Sequence, residues 1–340
     1  MRIMLDRLAE YARCFEDPEN WAVATAISVA GSSPAPVGTS MAVSRDMEII
    51  GSLSAGCAES AVAVLAQECI ISREPVREVF SPDGERMGSV ALTCGGTLEV
   101  LIEPLTSVSE LEALKQLSSQ DPRERASITR HVPKFGLDLS LHRPAAPRLI
   151  LSGAHDYSAA LAQIALQSGW RVNLVDLRRD FATTARLPIG TDIRLGHPPF
   201  VIRELLENEA QEGSFTAVCV MTHHPDLDVP VLDSALRTPE TAVHFVGAMG
   251  SRRASSRRNA ALERLGHSDE ERRRVHSPLG LDIQAATPAE TAVSMFAEII
   301  AAKNAASARG ASFSMSEGPL HRHRPEAQSI VVTPEAHLTP

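Results

Sequence analysis

Lysine is scarce in this chain. Among its 340 residues it occurs only at Lys115, Lys134 and Lys303, and none of these follows a glycine-rich loop. That excludes a Walker-type phosphate loop and leaves few candidates for Schiff-base chemistry. Cysteine pairing is also missing. Cys14, Cys57, Cys69, Cys94 and Cys219 are odd in number and contain no CxxC pair, which excludes a secreted disulfide framework and a structural zinc site. No apolar run reaches the length of a membrane span, and the opening MRIMLDRLAE is charged throughout, with no apolar signal core. A cytoplasmic location is the expectation. The net charge of −9 and the pI near 5.8 exclude the basic footprint of a nucleic-acid binder.

The chain has 44% hydrophobic residues over a length that suits about two domains, each with its own core. Residues 3–15 read as a helix. WAVATAISVAGSSPAPVGTSMAVS reads as two strands around a Gly/Ser/Pro loop, and EIIGSLS as a third strand. A helix follows from about Ala58 to Glu68. SVALTCGGTLEVLIEPL reads as two strands that bend at Cys94-Gly95-Gly96, where glycine permits positive φ. Residues 1–120 are thus expected to form a strand-rich α/β domain, including a helix over 108–120. Residues 121–147, rich in proline and charge, read as a linker with one short hairpin.

From Arg148 the pattern changes. RLILSGAHDYSAALAQIALQSGWRVNLVDLRRDF reads strand, turn, helix, turn, strand, and FTAVCVMTHH and TAVHFVGAMG repeat the strand-then-loop theme. The strands are unbroken apolar runs, as a sheet covered on both faces requires. Residues 148–303 are therefore expected to be a Rossmann-like, doubly wound parallel-sheet domain. It closes on the helix TPAETAVSMFAEIIAAK, where Thr287 caps, Pro288 opens the first turn and Glu290 completes a capping box. Residues 304–340 read as a low-complexity, disordered tail, and its His321 and His323 as solvated residues rather than metal ligands.

Four stretches offer chemistry. In GSLSAGCAES, Cys57 stands at the N-terminus of a helix, where the helix dipole favours a thiolate, and it follows the flexible Gly56. Cys94 lies beside Gly95 and Gly96, which leave room for a ligand. Cys14, Cys69 and Cys219 lie in apolar patterns and read as core. The turn Gly153-Ala154-His155-Asp156-Tyr157-Ser158 keeps only the first glycine of GxGxxG, although Asp176 ends the next strand about 20 residues on, where an acid binds ribose hydroxyls. This degenerate turn argues against NAD(P). Gly250-Ser251-Arg252-Arg253 opens a helix after a strand and offers amides and guanidiniums to an anion. MTHHPDLD places His223, His224, Asp226 and Asp228 in a loop where they can bind metal, handle protons or be ordinary loop residues.

Taken together, these stretches resemble the XdhC/CoxI family, accessory proteins of molybdenum hydroxylases such as xanthine dehydrogenase and aerobic carbon monoxide dehydrogenase. The likeness runs over roughly residues 5–302. It rests on GSSPAPVGTSMAVS, GSLSAGCAES and CGGTLEVLIEPL, then on WRVNLVDLRRDFA, VMTHH, VGAMGSRR and PLGLDIQAATPAETAVSMFAEII. The resemblance implies a protein that binds the molybdenum cofactor (molybdopterin), shelters it while an oxo ligand is exchanged for sulfur, and helps to insert it into an apo-hydroxylase. It further implies a cysteine desulfurase as sulfur donor and a homodimer. Cys57 and Cys94 would contact the molybdenum. Gly56, Glu59, Gly95 and Gly96 would shape that surface, and Gly153, Asp176, Gly250, Ser251, Arg252 and Arg253 would hold the rest of the ligand. The chain departs from the family in GAHDYS for a turn usually beginning GAG, in THH for a THD-like loop, and in Gln284 for the second glycine of GLDIGA. The Gln284 side chain is expected to crowd a position usually left open.

An accessory protein rather than a free-standing enzyme is the leading expectation. The alternatives are an NAD(P)-dependent oxidoreductase built on the Rossmann half, and a divergent relative with another small ligand. His155, Asp156, His223 and His224 would then mark the altered pocket.

Overall fold

A computed structural model of the chain describes residues 4–31, 36–54, 56–81, 96–108, 111–208, 214–304 and 330–334. It divides into two compact units between Pro144 and Ala145. In the first, α1 (Leu8–Glu16) precedes β1 (Trp21–Ala30), β2 (Ser40–Ser44), β3 (Ile49–Gly51), α2 (Glu59–Ser72), β4 (Val76–Phe80), β5 (Thr97–Pro104) and α3 (Leu111–Ser118). The strands form one antiparallel sheet in the order β3-β2-β1-β5-β4. The period-2 geometry of β1 sorts its side chains to two cores. Ala22, Ala24 and Ala26 face α2, with Val62, Ala66 and Ile70 packed on them. Small alanines let that helix lie close to the sheet. Trp21, Val23 and Ile27 face the opposite core with Leu8, Tyr11 and Phe15 of α1.

The stretch expected as a linker is mostly sheet. Residues 126–143 form the hairpin of β6 (Ala126–Val132) and β7 (Leu137–Arg143), whose Ile128, Val132, Leu139 and Leu141 enter the α1 core. Two inward positions are arginines, and this disguises the alternation. Arg130 is buried against Glu103 of β5 at 2.6 Å, and Arg143 donates to the carbonyls of Leu5 at 2.5 Å and Glu124 at 2.8 Å. Part of the expected tail is ordered as well. After the elements of the second unit, Ile330–Pro334 pairs antiparallel with β7. Its β-branched run Ile-Val-Val-Thr suits a strand.

The second unit runs β8 (Arg148–Ser152), α4 (Asp156–Gln167), β9 (Arg171–Asp176), β10 (Asp192–Leu195), α5 (Pro198–Asn208), β11 (Thr216–Val220), α6 (Pro225–Arg237), β12 (Phe245–Ala248), α7 (Arg252–Arg264), α8 (Asp269–Arg273), β13 (Val275–His276) and α9 (Pro288–Lys303). The strand Ile330–Pro334 of the first unit is thus β14. The sheet is parallel throughout, in the order β10-β9-β8-β11-β12-β13. Leu149, Leu151, Ala217 and Cys219 face α4 and α9, while Ile150, Val218 and Val220 face α5 and α6. This is the doubly wound order in which the chain reverses direction between β8 and β11, and ligands of such sheets bind beyond the strand ends at that point. Fold class and parallel core therefore match the expectation from sequence.

Candidate functional site

In the first unit, the loop between β3 and α2 is organised around one carboxylate. Glu59 accepts hydrogen bonds from the Ser52 and Ser54 hydroxyls, each at 2.6 Å, and from the amides of Leu53, Ser54 and Gly56 at 3.1, 2.8 and 2.9 Å. The Ser54 hydroxyl in turn accepts from the Ala58 amide at 2.7 Å. Partial burial opposes the charge on Glu59. The serine hydroxyls and loop amides outweigh it and hold the carboxyl down to about 2. Glu59, expected to touch a cofactor, is thus the inner post around which the loop winds. Gly56, directly before Cys57, has φ +115, and among the described residues a Cβ built on it meets nothing within 4 Å.

Cys57 is partly exposed and packs against the α2 core. Cys14, Cys69 and Cys219 are buried as expected. Burial pushes the Cys14 thiol up to about 12 and the Cys69 thiol up to about 11, and raises that of Cys219 as well. Cys94 and Gly95 lie outside the described residues. Gly96 is buried next to Thr97, which opens β5 opposite Ala30 of β1. Gly51 closes β3 opposite Met41 of β2. Through the register of β3-β2-β1-β5, the end of β3 lies level with Ala24 of β1 and the start of β5 level with Ala30.

In the second unit, two clefts lie beyond the carboxyl ends of β8, β9, β11 and β12. One of ≈ 870 Å³ spans the turn after β8 and the loops after β9 and β10. The other, of ≈ 780 Å³, lies along α7 and reaches α9. Tyr157, His223 and Met249 line both. Gly153 has φ +107, and a Cβ there would come 2.2 Å from Thr222 Cγ2, so only glycine fits. Ser158, at the place of the third fingerprint glycine, is buried and donates to the Gly153 carbonyl at 2.6 Å. His155, at the place of the second, donates from Nε2 to the Met221 carbonyl at 2.7 Å and packs edge-on against Tyr157. An imidazole thus stands where a dinucleotide turn keeps bare backbone.

Asp176 does not face the cleft as a free acid. Its carboxylate accepts from the Ala154 amide at 2.7 Å, the Arg178 amide at 2.8 Å and the Arg178 guanidinium at 2.8 and 3.0 Å. Burial works against its ionisation, but the Arg178 side chain and the two amides prevail and keep its carboxyl below the usual range. Asp228, grouped from sequence with a metal or proton role, is likewise taken up. It is buried with Arg258 at 2.7 Å and accepts from the Thr222 hydroxyl. Arg258 also donates to the carbonyls of Met249 and Thr222, each at 2.9 Å, tying the ends of β11 and β12 to α7. His223 and His224 are exposed, and among the described residues no group of three or more His, Cys, Asp or Glu is placed to hold a metal ion.

Gly250 and Ser251 line the smaller cleft. Gly250 has φ +144, and Ser251 caps α7 by accepting from the Ala254 amide at 3.2 Å. Arg252 and Arg253 are exposed and do not line it. The arginines that do are Arg257, Arg258 and Arg264, further along α7. Gln284 is exposed rather than crowding, with φ +56 and its amide donating to Asp282 at 2.6 Å. That left-handed backbone is the physical reason for glycine at this position. Sequence reasoning missed Arg178, Phe181, Arg186 and His197 on the larger cleft. The usable signal was an arginine directly after the acidic end of the second Rossmann strand.

Comparison with known proteins places both units. The model of the XdhC and CoxI family matches residues 14–81, and that of the XdhC Rossmann domain matches residues 149–299. The chain is 27% identical over 288 residues to the molybdenum cofactor insertion chaperone PaoD of Escherichia coli (strain K12), covering 81% of each chain. It is 27% identical to a probable xanthine dehydrogenase subunit of Bacillus subtilis (strain 168), covering 87% of this chain and 96% of the relative. Among solved structures, one described as a xanthine dehydrogenase from Bacillus halodurans superposes with a TM-score of 0.67 at 21% identity. It covers 90% of this chain and 98% of that one.

Proposed function

The chain belongs to the XdhC and CoxI family, and on that premise we propose that it binds the molybdenum cofactor and delivers it to a molybdenum hydroxylase of the xanthine dehydrogenase type. The observation that carries the reading is alignment over 81% of both chains with a relative named as a molybdenum cofactor insertion chaperone, in a molecule that keeps a partly exposed Cys57 on a hydrogen-bonded loop. The cofactor is cargo here. Cys57, together with Cys94, supplies soft thiolate donors suited to its metal. The Glu59 hydrogen bonds hold the Cys57 loop in one conformation, so little ordering entropy is lost when cargo docks. In the second unit, taken by itself, Arg257 and Arg264 line the cleft beside Gly250 and offer guanidiniums to an anion. Sulfuration before release, with sulfur from a cysteine desulfurase, and a cytoplasmic homodimer complete the proposal.

The test is direct. Protein purified from cells making molybdopterin is oxidised, and the fluorescent pterin product is quantified. Transfer is then read as activity gained by an apo-hydroxylase. Substoichiometric to stoichiometric pterin and gained activity are expected, with both reduced in Cys57→Ala and Cys94→Ala. Normal uptake by the double variant would remove the cysteine assignment. Absence of pterin and of transfer would remove the function.

A further inference from the structure

The smaller cleft of the second unit holds positive charge that the fold leaves unbalanced. The chain carries a net charge of −9, yet three arginines line this cleft, Arg257, Arg258 and Arg264, beside a single carboxylate, Asp228. That carboxylate is taken by the one buried arginine. Arg258 donates to it from Nε at 3.1 Å and from Nη2 at 2.7 Å, and donates also to the Met249 and Thr222 carbonyls. Arg257 and Arg264 are exposed, and among the described residues neither has a carboxylate partner. Arg264 reaches only its own helix, at the Ala260 carbonyl 3.3 Å away. The larger cleft differs, because its Arg178 and Arg186 are paired with Asp176 and Asp156.

The geometry says what balances the two charges. Arg257, Ala261 and Arg264 stand at i, i+4 and i+7 of α7 and share one face, with the two arginine stems about 10 Å apart along the axis. Ala254, Ala260 and Ala261 line the cleft with them, and their single methyl groups leave the space between the guanidiniums open. The rest of the lining is largely apolar, with Tyr157, Val229, Met249, Leu279 and Met295, of which Leu279 and Met295 are buried. At the rim, Gly250 has φ +144, and a Cβ there would come 3.2 Å from Arg258 Nη1 and 3.4 Å from His223 Nδ1, so the backbone stays bare. A concave site of ≈ 780 Å³ with an apolar lining and a few polar groups is of the size and make-up of a small-molecule pocket. The apolar lining removes a ring or hydrocarbon body from water, and two free guanidiniums match two negative charges.

We propose that the smaller cleft binds an organic dianion, with an apolar, ring-sized body against Tyr157, Met249 and Met295 and its negative charges on Arg257 and Arg264. The inference goes beyond cofactor delivery and uses the second unit alone. Its probes carry no pterin, so its failure and that of the delivery assay are read separately. A phosphate monoester and a dicarboxylate share this chemistry, and the probes distinguish them. The full-length protein is titrated by ligand-observed NMR with phenyl phosphate, terephthalate, benzoate and inorganic phosphate. Phenyl phosphate, terephthalate or both are expected to bind, and the tighter of the two identifies the anionic group. Inorganic phosphate, which lacks the ring, should bind about tenfold or more weakly, and benzoate, which lacks the second charge, should also bind more weakly. Arg257→Gln and Arg264→Gln, both at exposed positions, should each weaken the tighter dianion about five- to tenfold and leave the Trp170 urea melt in place. Arg273→Gln removes the same charge from exposed α8, outside the cleft, and should leave the affinity unchanged. No binding of either dianion at about 10 mM would overturn the proposal. So would inorganic phosphate binding as tightly as the ring-bearing dianions, affinity that survives both cleft variants, or an equal loss in Arg273→Gln.

Discussion

At the scale of single residues, the environment of each thiol and carboxylate sets what it can do. Cys57 is the exception among the four described cysteines, because the other three are buried and two have thiols held at about 12 and about 11. In a Cys94→Ser background, a maleimide or disulfide reagent at neutral pH should therefore modify one thiol quickly, at Cys57, and the remainder only on denaturation. Mass spectrometry of the labelled peptide checks this, and rapid loss of Cys219 would contradict it. Glu59 makes a second expectation, with a defined sign. Its carboxyl lies at about 2 in the fold against 4.5 ordinarily, so its stabilisation is fully present above the ordinary value and is lost as pH falls through the folded one. Solvent screening over its exposed part limits the contribution to about 1–2 kcal/mol. Glu59→Gln should lower the unfolding free energy of the first unit, read from urea melts, by that amount at neutral pH. The gap between the two proteins should close on acidification. A pH-independent gap would mean that packing, not charge, makes the contribution.

At the scale of elements, the turn between β8 and α4 shows how backbone and neighbour combine. Gly153 is required twice, by φ +107 and by the Thr222 methyl 2.2 Å from where a Cβ would sit. Gly153→Ala should destabilise the second unit by about 1–3 kcal/mol from backbone strain alone, with the clash adding to it. Thr222→Ser removes that methyl and keeps the hydroxyl bonded to Asp228. The double variant should therefore recover the clash component and retain the strain. Full recovery in denaturant melts would refute the backbone share. The same turn shows what the sequence disclosed and what it hid. The missing glycines at His155 and Ser158 were plain, and so was an altered cradle. That Ser158 would restore the turn with an internal hydrogen bond, and that Asp176 would be claimed by Arg178, depended on directions in space. The β6–β7 hairpin was hidden for a related reason. Its inward positions Arg130 and Arg143 break an apolar alternation, and they are tolerated only because Glu103 and the carbonyls of Leu5 and Glu124 receive them.

At the scale of the whole molecule, each unit carries one buried tryptophan, Trp21 in the first and Trp170 in the second, so each can be followed alone in a single-tryptophan variant. A chain ending at Asn304 lacks β14 and leaves the β7 edge unpaired. An unpaired edge is a template for association. The Trp21 transition should move to lower denaturant and the truncated chain should aggregate more readily, while the Trp170 transition stays in place. Unchanged Trp21 melting would mean that β14 adds nothing to the first unit.

The sequence by itself determined the local and periodic features. These are the unbroken apolar strands of the second unit, the capped α9 starting at Thr287, the burial of Cys14, Cys69 and Cys219, and the motif order that places the chain in its family. Such features depend on neighbours a few residues apart, which the order of residues states directly. Only the tertiary structure decided which polar groups remain available. Glu59, Asp176 and Asp228 look alike in a sequence as acids near loops, yet each is satisfied by its own set of donors. Arg178 and Arg186 become a pair only because the chain after β9 folds both onto Phe181. A carboxylate's chemistry depends on the donors already bound to it, and those donors are assembled by the fold.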